Sequence, residues 1–119
     1  ITHVFACSTE LLFQNAGWGD DEMLQLAQVL PLCTTLKVLL LRGNSFTKLP
    51  PVLGSLKTLE TINLRDCEQL ESLPDTLVEL PRLKLLNVEN CIALKELPAA
   101  LHECISVNNL IVRLPPHLR

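Results

Sequence analysis

The sequence predicts an α/β fold: a right-handed solenoid with a parallel β-sheet on its concave face and short helical or irregular connections on its convex face. Three observations point there. Hydrophobic residues make up 48% of the 119, yet the only aromatics are Phe5, Phe13, Trp18 and Phe46, so the apolar content is mainly leucine. Such a composition suits a stack of similar layers. The spacing L-x-x-L-x-L-x-x-N recurs along the chain. Its last position falls at residues 16, 44, 67, 91 and 115, in steps of 28, 23, 24 and 24, the range of solenoid repeats.

Leu36, Leu39, Leu41 and Asn44 form one complete copy of the frame. Leu59, Ile62, Leu64 and Cys67 form another, and Leu83, Leu86, Val88 and Cys91 a third. Val107, Leu110, Val112 and Pro115 fit with proline in the polar place, while Leu11, Phe13 and Ala16 make a degraded first copy. Leu39 and Leu41 alternate as residues of one strand face, so both side chains point into the core. Strands are therefore expected near 10–14, 38–42, 61–65, 85–89 and 109–113, in one domain of four to five coils covering 1–119.

The polar position lies where the chain turns off the strand. A side chain buried there can hydrogen-bond the turning backbone of its own and neighbouring coils. Asparagine offers a donor and an acceptor, cysteine a weak donor that tolerates burial. Cys67 and Cys91 are accordingly expected to be buried, unpaired ladder residues. The competing reading is a redox pair, which needs Cβ atoms about 4 Å apart. Stacked strands about 4.8 Å apart leave that open, but nothing nearby would lower either thiol pKa.

The connections follow. Met23, Leu24, Ala27, Val29 and Leu30 partly keep a helical period, preceded by Asp20, Asp21 and Glu22. Asp20 or Asp21 is expected to cap that helix. The alternative, a divalent-metal cluster, lacks any calcium-loop pattern. Later connections begin at Pro50-Pro51, Pro74 and Pro98, and their length allows one helical turn or an extended stretch. Leu53 with Leu56, Leu77 with Leu80, and Leu101 with Cys104 should close the outer side. Trp18, flanked by glycines, is expected in the core, with an exposed rim anchor as the alternative.

These copies resemble the leucine-rich repeat family from Glu10 to Pro115. The segment "LLFQNAGWGDDEMLQLAQVLPLCTT" looks like the long, helix-containing repeat of ribonuclease-inhibitor-like proteins. "LETINLRDCEQLESLPDTLVE" and "LKLLNVENCIALKELPAALHE" look like the shorter repeats of plant-type disease-resistance proteins. The resemblance implies a protein-recognition surface or regulatory scaffold and supplies no ligand.

Residues between the inward leucines are assigned to the concave face. The first column reads Glu10, Val38, Thr61, Leu85 and Asn109; the middle, Leu12, Leu40, Asn63, Asn87 and Ile111; the third, Gln14, Arg42, Arg65, Glu89 and Arg113. Leu12, Val38 and Leu40 form an apolar patch edged by Arg42 and Arg65, with Glu89 next in line. Apolar contact beside arginines suits protein docking. The partner-binding residues are therefore expected to be Leu12, Gln14, Val38, Leu40, Arg42, Asn63, Arg65, Asn87 and Glu89. The plainer alternative is that preceding sequence covers Leu12 and Val38.

Other function classes find little material. The net charge of −3 gives no pull towards nucleic acid or an anionic membrane. The longest apolar run, Val38 to Leu41, is far too short to span a bilayer, and no signal peptide is legible. Five cysteines without a CxxC pair favour a reducing, intracellular setting, taken as cytoplasmic. His3 and His117 sit in terminal segments, and a His102–Cys104 dyad would require neighbours that do not face each other on a helix. No phosphate loop is present. No catalytic, cofactor-binding or metal-binding residue is assigned, and no enzyme activity is expected. The expected function is a non-catalytic module binding a protein partner through its concave sheet. The alternative is a structural subunit or fragment within a larger assembly, since the end strands have little chain to cover them and could stack on further repeats or subunits.

Overall fold

A computed structural model describes residues 8–119; His3, Phe5 and Cys7 lie outside the described residues. Five strands, β1 (Glu10–Leu12), β2 (Val38–Leu40), β3 (Thr61–Asn63), β4 (Leu85–Asn87) and β5 (Ile111–Arg113), pair in chain order. Every neighbouring pair is parallel. The middle residue of each strand turns inward, and Leu39, Ile62 and Leu86 are fully buried. Leu36, Leu41, Leu59, Leu64 and Val88 complete the buried row, so one hydrophobic core runs the length of the solenoid.

Each strand holds three residues rather than five. The reason is a left-handed turn three residues beyond each of the first four strands. Asn15, Gly43, Asp66 and Asn90 occupy it with φ of 54°, 75°, 63° and 60°. Only glycine and short polar residues take that conformation readily, which accounts for the residue type immediately before each polar anchor. Hydrogen bonds between coils nevertheless continue to this point, from the amides of Asn15, Gly43 and Asp66 to the carbonyls of Arg42, Arg65 and Glu89. At Gly43 a Cβ would also collide with the Asn15 side chain.

Each coil crosses the convex side differently. Helix α1 (Asp20–Val29) spans the first, followed by a 3-10 turn at Leu30–Leu32. Pro50 and Pro74, both extended, open the 3-10 turns Pro51–Ser55 and Asp75–Glu79. Those turns pack closely enough that a Cβ on Gly54 would lie 2.6 Å from the Thr76 Cβ. The fourth connection departs from expectation. Ala99 and Ala100, strong helix formers, lead into an eight-residue helix, α2 (Leu101–Asn108), which Asn109 ends in the left-handed conformation at φ 56°.

That helix shifts the last coil by two residues against the leucine frame. β5 pairs Leu85 with Ile111, Leu86 with Val112 and Asn87 with Arg113. Val107 is therefore not an inward residue but 77% exposed on α2, and Asn109 is a helix cap instead of a sheet residue. Leu110 is still buried. The two-residue shift would bring His117 to the ladder place, but Pro115 is the buried residue and His117 is exposed, its Nε2 2.6 Å from the Leu94 carbonyl oxygen, so the buried ladder is not continued into the last coil.

Leu64 sits at 0% exposure in the middle of the stack. Replacing it with alanine leaves a cavity that both flanking coils are held from filling. Urea denaturation of Leu64→Ala should show a loss of about 2–5 kcal/mol.

Candidate protein-docking surface

The sheet face rests on a polar ladder immediately beneath its edge. Asn44, 3% exposed, receives hydrogen bonds at Oδ1 from the amides of Ala16 (3.1 Å) and Trp18 (3.0 Å). Its Nδ2 donates to the carbonyls of Phe13 (2.9 Å) and Leu41 (2.8 Å). Cys67 and Cys91 take the next rungs, their Sγ atoms donating to Leu41 O at 3.2 Å and Leu64 O at 3.1 Å. Both are free and buried. Burial pushes both thiols up, Cys91 to about 12, so neither is a thiolate nucleophile near neutral pH. These two rungs hold adjacent coils in register and keep the outward side chains aligned.

On that support the paired strands present two outward columns, corrected at β5 by the two-residue shift. The first reads Glu10, Val38, Thr61, Leu85 and Ile111; the second, Leu12, Leu40, Asn63, Asn87 and Arg113. Ile111 thus stands beside Leu85, where the leucine frame alone would set polar Asn109. An apolar column now runs from Val38 past the Thr61 methyl to Leu85 and Ile111. Leu12 and Leu40 join it at the N-terminal end. Leu12 is 54% and Ile111 58% exposed, while Val38, Leu40 and Leu85 are half-buried. Leu85 and Ile111 were absent from the expected docking set because their continuity depends on the last register.

The polar members of that set are less free than their outward positions suggest. Asn63 and Asn87 accept the amides of Arg65 (3.0 Å) and Glu89 (2.9 Å) at Oδ1, stiffening the strand exits. Asn87 is itself buried. Arg42 Nε donates to Asp66 Oδ2 at 2.9 Å, and Arg65 Nε lies 4.0 Å from Asp66 Oδ1. Asn90 Nδ2 donates to the same carboxylate at 3.0 Å. The Asn90 hydrogen bond and the two guanidinium groups hold the Asp66 carboxyl below the usual carboxylate range. Gln14 is exposed and Glu89 half-buried. Asp66 was not among the expected site residues, although its place in the left-handed turn column could have marked it as a neighbour of Arg42.

Trp18 is half-buried and stacks on Phe13, with ring centroids 4.5 Å apart. Asp20 does not cap α1. Its carboxylate accepts the Thr47 amide at 2.9 Å and the Thr47 hydroxyl at 2.8 Å, which hold its pKa down. Gly19 is the N-cap, and its amide donates to Glu22 Oε1 at 2.7 Å. Cys104 Sγ points to the Val78 carbonyl at 3.7 Å rather than to His102. Among the described residues no His, Cys, Asp and Glu cluster is arranged to hold a metal ion, and no helix is long and apolar enough to cross a membrane.

The solved leucine-rich repeat domain of the type III effector XopL is similar at 20% identity with a TM-score of 0.41, over 72% of this chain and 44% of that one. This chain therefore spans less than half of that relative's length. No curated protein matches the sequence. A family model described as R13L1/DRL21 leucine-rich repeats matches residues 9–91, well over half of the chain. With that match and the leucine ladder in place, the chain belongs to the R13L1/DRL21 leucine-rich repeat family.

Proposed function

We propose that the chain is a non-catalytic recognition module that docks a protein partner on its concave sheet. Leucine-rich repeat folds generally serve as protein-interaction scaffolds. The observation that carries the finer reading is the apolar column from Val38 to Ile111, widened by Leu12 and Leu40 and bordered by Arg42, Arg65 and Glu89. Exposed apolar side chains on a rigid sheet lose little conformational freedom on docking. The arginines can exchange their contacts with Asp66 for a partner carboxylate. Gln14, Asn63 and Asn87 complete the contact set, the two asparagines chiefly by fixing the strand exits.

Within this reading 1–119 acts as one domain. The α1 coil behaves as a ribonuclease-inhibitor-like repeat, and the thinner coils after it as disease-resistance-type repeats. The setting is a reducing cytoplasm, where the free thiols of the ladder stay reduced.

Affinity capture from native extract would supply the partner, and titration calorimetry on variants would locate the face. Leu12→Asp and Ile111→Asp alter side chains that are more than half exposed, so stability should hold. Each should weaken binding about tenfold or more, corresponding to about 1.4 kcal/mol. Glu79→Ala and Lys95→Ala, on the connections, should bind as the parent does. Unchanged affinity in the Leu12/Ile111 double variant, with loss at the connections, would move the site to the convex side and favour the assembly-subunit reading.

A further inference from the structure

We propose that the last coil is a two-register switch, in which β5 slips by two residues against β4 and so completes or breaks the apolar column of the concave sheet. The spacing of the fourth connection gives the first reason. Pro50, Pro74 and Pro98 stand nine residues before Leu59, Leu83 and Val107 respectively. Leu53, Leu77 and Leu101, three residues after those prolines, are all buried. The chain thus holds what a third thin connection needs, and such a connection would bring Val107 inward as it brings Leu59 and Leu83. It forms α2 instead, and Val107 stands 77% exposed.

Side-chain parity does not choose between the registers. A strand alternates its faces residue by residue, so a slip of two keeps every side chain on its own face. With α2 formed, Val112 lies beside Leu86; after the slip Leu110 would lie there, and it is no less apolar. The α2 register gains helical hydrogen bonds but leaves Val107 in water and holds Asn109 in the left-handed conformation at φ 56°. The helix is lightly anchored: Ala100 caps it without a side-chain hydrogen bond, and Leu101 is its one buried residue. The slipped register gives up that helix and buries Val107. The consequence falls on the concave face. With α2 formed, Ile111 adjoins Leu85; after the slip Asn109 takes that place, Ile111 moves beside Asn87, and the column ends at Leu85. A partner covering Ile111 in the column binds the α2 register and draws the coil towards it. That link to docking rests on the concave reading, whereas the slip itself does not.

Two cysteine pairs report the two registers. Leu85→Cys with Ile111→Cys joins positions that are paired when α2 is formed. Asn87→Cys with Ile111→Cys joins positions paired only after the slip; before it, two residues along and one strand across, their Cα atoms are about 8 Å apart, too far for a disulfide. Each pair is oxidised with diamide, and the linked peptides are identified by mass spectrometry. The 85–111 link should form first, with the 87–111 link forming at a slower, measurable rate. Ser106→Pro breaks α2 and should speed the 87–111 link about tenfold or more, the milder Ser106→Gly about twofold. Val107→Asp changes an exposed side chain of the α2 register but would bury a carboxylate in the other. It should slow the 87–111 link about tenfold or more and leave the 85–111 link unchanged. Thermal melting checks that each variant folds. Absence of the 87–111 link in every background, or its indifference to Val107→Asp, would overturn the proposal. Titration with the captured partner reports separately on the concave reading: equal affinity for the two trapped registers would leave the switch standing and remove Ile111 from the docking surface.

Discussion

Asn44→Ala should be among the most damaging single substitutions in this protein, costing about 3 kcal/mol or more in urea denaturation. Three backbone groups lose this partner at once, the amides of Ala16 and Trp18 and the carbonyl of Phe13, while the Leu41 carbonyl keeps the Cys67 Sγ donor. Each polar group left buried without a partner costs about 1–3 kcal/mol, and water reaching the exposed Ala16 side relieves only part of that. The first coil explains why this rung is asparagine. Ala16 stands in its ladder place and has no hydrogen-bonding side chain, so Asn44 must satisfy the turn of the coil before its own. Asn44→Cys supplies the residue used at Cys67 and Cys91, and it should recover part of the loss. Equal stability of the alanine variant and the parent would show that the ladder contributes nothing.

Phe46→Ala should cost about 3–5 kcal/mol by the same measurement. Phe46 is fully buried and heads the largest side chains in the core. It corresponds to Leu70 and Leu94 in the following coils, which lie three residues after Cys67 and Cys91. Phe46 lies only two after Asn44, because the second coil is one residue shorter there; the parallel bridge between Lys48 and Ser72 restores the 24-residue offset. A larger ring fills the space that the shorter path leaves. Phe46→Leu should therefore fall between the parent and alanine, and a leucine variant as stable as the parent would remove this account of the shortened turn.

Sequence spacing made most of the architecture legible. The inward leucines, the parallel sheet and the free, buried Cys67 and Cys91 all follow from a frame repeated in three complete copies. Repetition makes this possible because each coil meets a neighbour much like itself, so one local pattern specifies both sides of the contact. The outward positions Leu12, Val38, Leu40, Arg42 and Arg65 were readable for the same reason, since a strand alternates its side chains whatever lies beside it.

Tertiary structure decided what happens where neighbouring coils differ. The helix begun by Ala99 and Ala100 absorbs two extra residues, moving Ile111 beside Leu85 and leaving Val107 in solvent. Asp66 becomes the partner of Arg42 only because its left-handed turn stacks on the preceding coil. Asp20, placed at a helix start where a cap is the local expectation, reaches Thr47 on the next coil instead. The sequence by itself determined the repeating unit, because periodicity is written within each coil. The offsets between unequal coils were settled only in the stack, because they depend on packing between residues more than twenty positions apart.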